Sequence, residues 1–266
     1  MRELLLGFPR IDLHIHSGFS DGEGGIIDIL GEAEKKNLDF LALTDHHTNT
    51  GLLDRYQYVN DADKVKSMRM EIEKANRASK AKMFLGVEAD VVDLDGCLNV
   101  DKEILDEVDF VTASVHIIPG VELNWERIWT KQVNTSYEKI VEKCVECEIN
   151  ILNSGQVDVL AHPLFVPSIY INSIEEIPTE LINEFVDAAA ERKVALEINS
   201  GWVRLKSFQL RPGYAKFFST CLKKGARISI GSDAHSLKDV GNTHWSYSIL
   251  ESINAESKDL FIPTSR

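Results

Sequence analysis

The chain has 266 residues, 44% of them hydrophobic and 27% charged, which is enough for a substantial core. Its formal net charge of −13 argues against a polyanionic partner, because nucleic-acid binding is driven by Lys and Arg neutralising phosphates. No stretch approaches transmembrane length, and residues 1–7 carry too short an apolar run for a secretory signal, so a cytoplasmic location is expected and no membrane partner is.

The first predicted strand is Arg10-Ile11-Asp12-Leu13-His14-Ile15-His16. Side chains two apart on a strand share a face, so Asp12, His14 and His16 are expected to project one way and Leu13 and Ile15 the other. Two imidazoles at that spacing can chelate one divalent cation, with an acidic neighbour in reach to orient them. The plain alternative is a half-buried strand with histidines on its wet face. A glycine-rich turn over 18–25 leads to a helix over 26–36, which Asn37 stops. Strand two, 38–44, runs into Asp45-His46-His47, and a loop to about residue 60 precedes an amphipathic helix over 62–79. Strand three is 83–89, a small excursion covers 91–100, and strand four is 108–116.

A helix over 135–152 carries Tyr137, Ile140, Val141, Cys144 and Val145 at the spacing of a core-facing stripe. Cys144 and Cys147 form a C-x-x-C, but inside a helix with no second pair nearby they read as ordinary reduced thiols. Strand five, 157–162, stops at Pro163, and a helix from Pro178-Thr179 to Arg192 follows. Strand six is 194–199, a helix covers 213–224, strand seven is 227–233, and a last helix covers 246–255. Seven strands joined by crossover helices imply a parallel sheet. One domain over residues 1–266 is expected, as a closed or nearly closed barrel. An open doubly wound sheet is the alternative, and the lack of a Gly-rich dinucleotide loop after strand one counts against it.

Strand one ends in His14 and His16, with Asp21 in the turn just after. Strand two ends in His46, strand three in Glu88, strand four in His116 and strand five in His162. Strand seven ends in Asp233, with His235 two residues on. Six of the eight histidines thus fall at C-terminal strand ends, where βα-barrels build their active sites. Histidines scattered for structural reasons would not sort themselves this way, so a multinuclear metal site is expected. Roughly three bound divalent cations would offset about six units of the negative charge locally.

The segments Asp12-Leu13-His14-Ile15-His16, Thr44-Asp45-His46, Gly86-Val87-Glu88, Ala113-Ser114-Val115-His116, Leu160-Ala161-His162-Pro163 and Gly231-Ser232-Asp233-Ala234-His235 resemble, in order, the motif set of the polymerase and histidinol phosphatase (PHP) superfamily. The resemblance spans residue 10 to about residue 242. It implies an α/β fold, a distorted (β/α)7 TIM-like barrel of parallel strands, with three divalent metal ions (Zn, Mn or Fe) at its C-terminal face. It further implies that His14, His16, Glu88 and Asp233 hold the first ion, that Glu88, His116 and His162 hold the second, and that Asp21, His46 and His235 hold the third. Some relatives carry a histidine where Asp21 falls.

Two metals a few ångströms apart can share a water, lower its pKa and clamp a phosphoryl group, with no Ser or Cys nucleophile required. The rival amidohydrolase reading typically needs a modified bridging lysine on strand four, which has none here, whereas Glu88 is available to bridge. The expected activity is therefore hydrolysis of a small phosphomonoester by a metal-bridging hydroxide, with L-histidinol phosphate as the best single substrate. The alternatives are a nucleotidase or short-oligonucleotide exonuclease, favoured by the Ser20-Asp21-Gly22 turn, and a non-catalytic metal-stabilised module that binds a partner protein. The expected catalytic set is Glu88, Asp233, His235 and Asp12. Asp12 and Asp45 are expected to orient ligand imidazoles, and Glu197 to be paired inside the barrel. Arg204 and Arg211, read as lying in the loop after strand six, are candidates to grip the phosphate, with His47 and Asn199 as further substrate contacts. His244 matches no ligand position.

Overall fold

The computed structural model describes residues 7–47, 59, 61–98, 100–201 and 211–264. Strands and helices alternate in the order β1 (Ile11–Ile15), α1 (Ile26–Lys35), β2 (Phe40–Leu43), β3 (His46–His47), α2 (Ala62–Asn76), β4 (Lys82–Asp90), α3 (Lys102–Leu105), β5 (Phe110–Ser114), α4 (Trp125–Thr130), α5 (Tyr137–Asn153), β6 (Val159–Leu160), α6 (Phe165–Tyr170), α7 (Thr179–Arg192), β7 (Ala195–Asn199), α8 (Arg211–Lys224), β8 (Ile228–Gly231) and α9 (His244–Ser252). The strands pair in parallel in the order β1-β2-β4-β5-β6-β7-β8, and β3 pairs β4. Leu43 lies opposite Leu85 and His46 opposite Glu88, so β3 prolongs β2 in the same register and the two form one interrupted stave. Ile15 bridges Ala234, and Asp233 donates its N–H to the His14 carbonyl (2.9 Å), bringing β8 back to β1. The result is α/β, with seven parallel staves in a nearly closed, distorted TIM-like barrel.

The strands are buried on both faces, as parallel strands between helices are. The helices bury one stripe each. On α1 the stripe is Ile26, Ile29, Leu30 and Ala33, and the chain leaves the helix through Asn37 at φ 54°, as expected. On α5 the buried stripe runs through Ile140, Val141, Cys144, Val145 and Glu148, but Tyr137, expected in it, is exposed and packs on Tyr170. Burial pushes the Cys144 thiol well up and the Cys147 thiol to about 12, so both are inert core groups. Among the described residues no helix is long and apolar enough to cross a membrane.

A repeated hydrogen-bonded clasp sets the stagger of neighbouring staves at the N-terminal end of the barrel. Asp39 donates its N–H to the Arg10 carbonyl while its carboxylate accepts from Arg10 N–H at 2.7 Å. Asp109 makes the same pair of bonds with Leu85, and Asp158 with Val111, the carboxylate bonds being 2.9 Å in each. Asp109 is buried and also holds the Arg69 guanidinium at 3.0 Å. Asp109→Ala strands both partners and should cost about 1–3 kcal/mol of stability in urea unfolding. Asp109→Asn keeps an acceptor for Leu85 and should cost less; equal losses would make the Arg69 charge, not the backbone bond, the dominant partner.

A second buried carboxyl sits behind the C-terminal face. Glu148 of α5 accepts the Leu164 N–H at 2.9 Å, and burial, only partly opposed by that bond, raises its pKa to about 8. An acid whose folded pKa lies above its unfolded value contributes fully at low pH and loses that contribution as pH rises through the folded pKa. Stability should therefore decline between the ordinary value near 4.5 and about 8, by an amount on the order of a few kcal/mol. Glu148→Gln, a neutral mimic of the acid, should flatten the Tm profile across that window; an unchanged slope would assign it to other groups.

Candidate metal centre

The carboxylate of Glu88, on the inner face of β4, is the point at which the expected ligands meet. Its Oε2 lies 3.3 Å from His14 Nε2, 3.4 Å from His16 Nε2 and 3.0 Å from His46 Nδ1. Its Oε1 lies 3.1 Å from His162 Nε2 and 3.6 Å from His116 Nε2, and accepts a short hydrogen bond from Ser114 Oγ. Around it are three groups whose ligand atoms lie within 4.8 Å of one another: His14, His16 and Asp233; His46, Glu88 and His116; and His16, Asp21, His46 and His235. In the third group Asp21 Oδ1 faces His235 Nε2 at 3.4 Å and His46 Nε2 at 3.7 Å. All nine expected ligands are thus gathered at the C-terminal face.

These donors fit metal ions better than they fit one another. The Nε2 atoms of His14 and His16 face each other at 3.1 Å, and His16 Nδ1, Asp21 Oδ1 and Glu88 Oε2 are buried without a hydrogen-bond partner. Burial works to raise the Glu88 and Asp233 carboxyls, yet nearby imidazoles hold both well below the usual carboxylate range. Burial and the charge of His46 push His16 down to about 3, leaving its ring nitrogens neutral donors. His116 is pushed up to about 9 against its own burial, first by Asp90 and then by Glu88. The centre is a knot of ionised carboxylates that gathers positive charge, with the mixed imidazole and carboxylate donors that suit Zn, Mn or Fe.

Other buried carboxylates fix these donors from behind. Glu197 Oε1 meets His14 Nδ1 at 2.9 Å, while its Oε2 accepts from the His162 N–H at 2.8 Å and from Asn199 Nδ2 at 3.1 Å. Gly231 is needed beside them, since a Cβ there would run into Glu197 and His14. Asp90, two residues beyond Glu88 on the same face of β4, meets His116 Nδ1 at 2.6 Å. The sequence reading missed Asp90, although period-two alternation from Glu88 was a signal that could have found it.

Asp12 and Asp45 do not orient imidazoles as expected. Asp12 accepts from Ser232 N (2.8 Å), Ser232 Oγ (2.6 Å) and Gly241 N (2.7 Å), and Asp45 from Ser17 N, Ser17 Oγ and Ser20 Oγ. Each clasps a loop that carries an expected ligand, Asp233 in one case and Asp21 in the other. The alternation that placed Asp12 beside His14 fails because β1 carries a bulge: Asp12 pairs with Leu41 but Ile15 with Leu43, leaving an extra residue on β1. Asp12, expected in the catalytic set, is seen here as a clasp on the loop that carries Asp233. Two of the expected ligands sit on left-handed backbone, His162 at φ 29° and Asp233 at φ 56°, and the clasps from Glu197, Glu148 and Asp12 hold the amides of His162, Leu164 and Ser232.

Of the expected substrate contacts, Asn199 reaches the centre, donating to Asp233 Oδ2 at 3.3 Å. His47 is buried with Nδ1 against the Val59 carbonyl at 2.8 Å. Arg204 lies outside the described residues. Arg211 opens helix α8 rather than lying in the preceding loop, and its side chain is outside the description. His244 is exposed at the start of α9, beside Asn242.

The family model for the PHP domain matches residues 12–201. A probable phosphatase of Clostridium novyi is 28% identical over 185 residues, which cover 68% of this chain and 64% of that protein. A probable histidinol-phosphatase of Clostridium acetobutylicum is 27% identical over 241 residues, 86% of this chain and 88% of that one. The chain spans less than two thirds of the length of the Clostridium novyi protein and of two other curated relatives. The histidinol phosphate phosphatase of Lactococcus lactis, solved with zinc, L-histidinol and phosphate, shares the fold: TM-score 0.77 at 18% identity over 97% of both chains.

Glu88 touches two of the three donor groups directly and borders the third through His16 and His46. After reconstitution with zinc or manganese, elemental analysis should find more than one ion per chain. Glu88→Gln should lose more than one of them and Asp21→Asn no more than one. A saturating content of one ion or none in the wild-type protein would rule out a multinuclear centre.

Proposed function

We propose, since this chain belongs to the PHP domain family, that it is a metal-dependent phosphatase acting on a small phosphomonoester. The observation that carries this reading is Glu88, a buried carboxylate with five imidazoles around its two oxygens, the arrangement a bridging ligand requires. Three ions are proposed: one on His14, His16, Glu88 and Asp233, one on Glu88, His116 and His162, and one on Asp21, His46 and His235. Divalent cations held there would polarise phosphoryl oxygens and lower the pKa of water toward neutrality.

The chain's own groups supply the rest. Glu197 and Asp90 hold the far nitrogens of His14 and His116, so that the opposite nitrogens face the centre. His14, His16, His46 and Glu88 close its inner side and exclude bulk water. Asp21, Asp233 and His235, with side chains 21, 25 and 40% exposed, bound the open side, where the phosphoryl group would enter. Asn199 steadies Asp233 at that opening. Arg204 and Arg211 are kept as the candidates to meet the remaining phosphate charge.

L-Histidinol phosphate is the proposed substrate, supported by the match over 86% of this chain to a relative named a probable histidinol-phosphatase. The net charge of −13 disfavours a long polyanion in its place. Phosphate release from L-histidinol phosphate, nucleoside monophosphates, sugar phosphates and a short oligonucleotide, on protein of known zinc or manganese content, tests both levels. The histidinol ester should lead in kcat/KM by roughly tenfold or more. Preference for a nucleotide would overturn the substrate and keep the chemistry. No release from any of them by fully loaded protein would overturn the phosphatase reading.

A further inference from the structure

The loop between β8 and α9 carries Asp233 and His235, and His235 is the most open of the expected ligands, its side chain being 40% exposed. Burial alone does not hold it. Past His235 the chain makes a 3-10 turn over Leu237–Asp239 and then a β-turn in which the Asn242 N–H donates to the Asp239 carbonyl at 2.9 Å. Val240 at φ −50° and ψ 127° and Gly241 at φ 71° make this turn type II, which calls for the glycine. The peptide unit at its centre is gripped at both ends. Its N–H, on Gly241, donates to Asp12 Oδ2 at 2.7 Å, and its carbonyl, on Val240, accepts a short hydrogen bond from Lys36 Nζ. The same ammonium donates to the Lys238 carbonyl at 2.7 Å.

Lys36 stands at the C-terminal end of α1, and its stem lies along the turn, since a Cβ on Gly241 would be 3.2 Å from Lys36 Cδ. Its ammonium reaches two carbonyls of one loop, whereas the adjacent Lys35 forms an ordinary exposed pair with Glu32 at 2.6 Å. At the other end of α1, just after Asp21, the Glu23 N–H donates to the His235 carbonyl at 2.9 Å, and Leu237 packs on Gly24. Helix α1 thus meets the His235 loop twice, through the turn of Asp21 before it and through Lys36 after it. Hydrogen bonds from an ammonium are about twice as strong as neutral ones, so Lys36 is the stronger of the two ties.

We propose that Lys36 is the positioning residue of this loop: through the Val240–Gly241 peptide it sets where His235 stands relative to Asp21 and His46. The proposal rests on the ion assigned above to Asp21, His46 and His235, and adds how the most open of those ligands is placed without being buried. Removing the ammonium leaves the central peptide held by its N–H alone, and the His235 ring loses its set distance from Asp21, 3.4 Å between Nε2 and Oδ1.

Zinc affinity, read by competition with a chromophoric chelator, tests this in Lys36→Met, Lys36→Arg, Lys35→Met, His235→Ala and the Lys36→Met/His235→Ala double variant. Lys36→Met should weaken one zinc by roughly tenfold or more and leave the tighter ones within about twofold of wild type. Lys36→Arg, which keeps the charge and offers two donors, should stay within about threefold, and Lys35→Met should match the wild type. His235→Ala should lose the same zinc, and adding Lys36→Met to it should change the remaining affinities no further. A lysine that only supports the fold would weaken every zinc alike and do so equally in the His235→Ala background. Either result, or wild-type affinities in Lys36→Met, overturns the proposal. If His235→Ala keeps every zinc, it is the ion assignment that falls. The positioning of the loop is then judged by amide hydrogen exchange over residues 235–241 of the zinc-loaded protein: faster exchange in Lys36→Met than in Lys35→Met supports it, and equal rates overturn it.

Discussion

A carboxylate taken out of water has to be compensated where it sits, and Glu88 imposes that requirement on the whole C-terminal face of this barrel. No Lys or Arg of the described structure pairs with it; its partners are five imidazoles and one hydroxyl. Those imidazoles come from the ends of β1, β3, β5 and β6, so compensating one charge ties four staves to β4. The strand alternation that delivers the rings, the bulge in β1 and the interruption between β2 and β3 all serve that convergence.

Around this knot the buried acids divide into two kinds of work. Glu197 and Asp90 act on ring nitrogens and fix how the imidazoles are turned. Asp12, Asp45 and Glu148 act on backbone and loop hydroxyls and fix where the turns with the expected ligands sit. The second kind is needed because His162 and Asp233 hold backbone conformations that side-chain-bearing residues avoid. The whole-chain charge of −13 thus includes several carboxylates that solvent hardly sees.

The staves and the gathering of the expected ligands at one face could be read from the sequence because both follow local rules: apolar runs of strand length, most ending in an imidazole or carboxylate. What could not be read depends on tertiary context. The β1 bulge adds one residue, and alternation then assigns Asp12 to the wrong face. The helices α3, α4 and α6 span four to six residues, too few for a helical period to show. The Asp39, Asp109 and Asp158 clasps each follow an apolar residue and precede a strand, but single aspartates at strand starts are indistinguishable from turn residues until their partners are seen. Asp90 is the exception: it lies two residues beyond Glu88 on one strand, so the alternation rule places it on the same face.

Neighbouring staves in this barrel are mostly neighbours in sequence, with one exception. Where β8 returns to β1, the Asp12–Ser232 bonds join residues 220 positions apart. Closing a loop of that length costs on the order of 5 kcal/mol in chain entropy, and little contact energy is returned until it is done. His14 and His16 lie on one side of that seam and Asp233 and His235 on the other. An ion shared between them would work as a reversible cross-link on a loop of more than two hundred residues. It could be gripped from both sides only after the ring had shut, so ion capture would come late in folding and ion loss would loosen the barrel first along this seam.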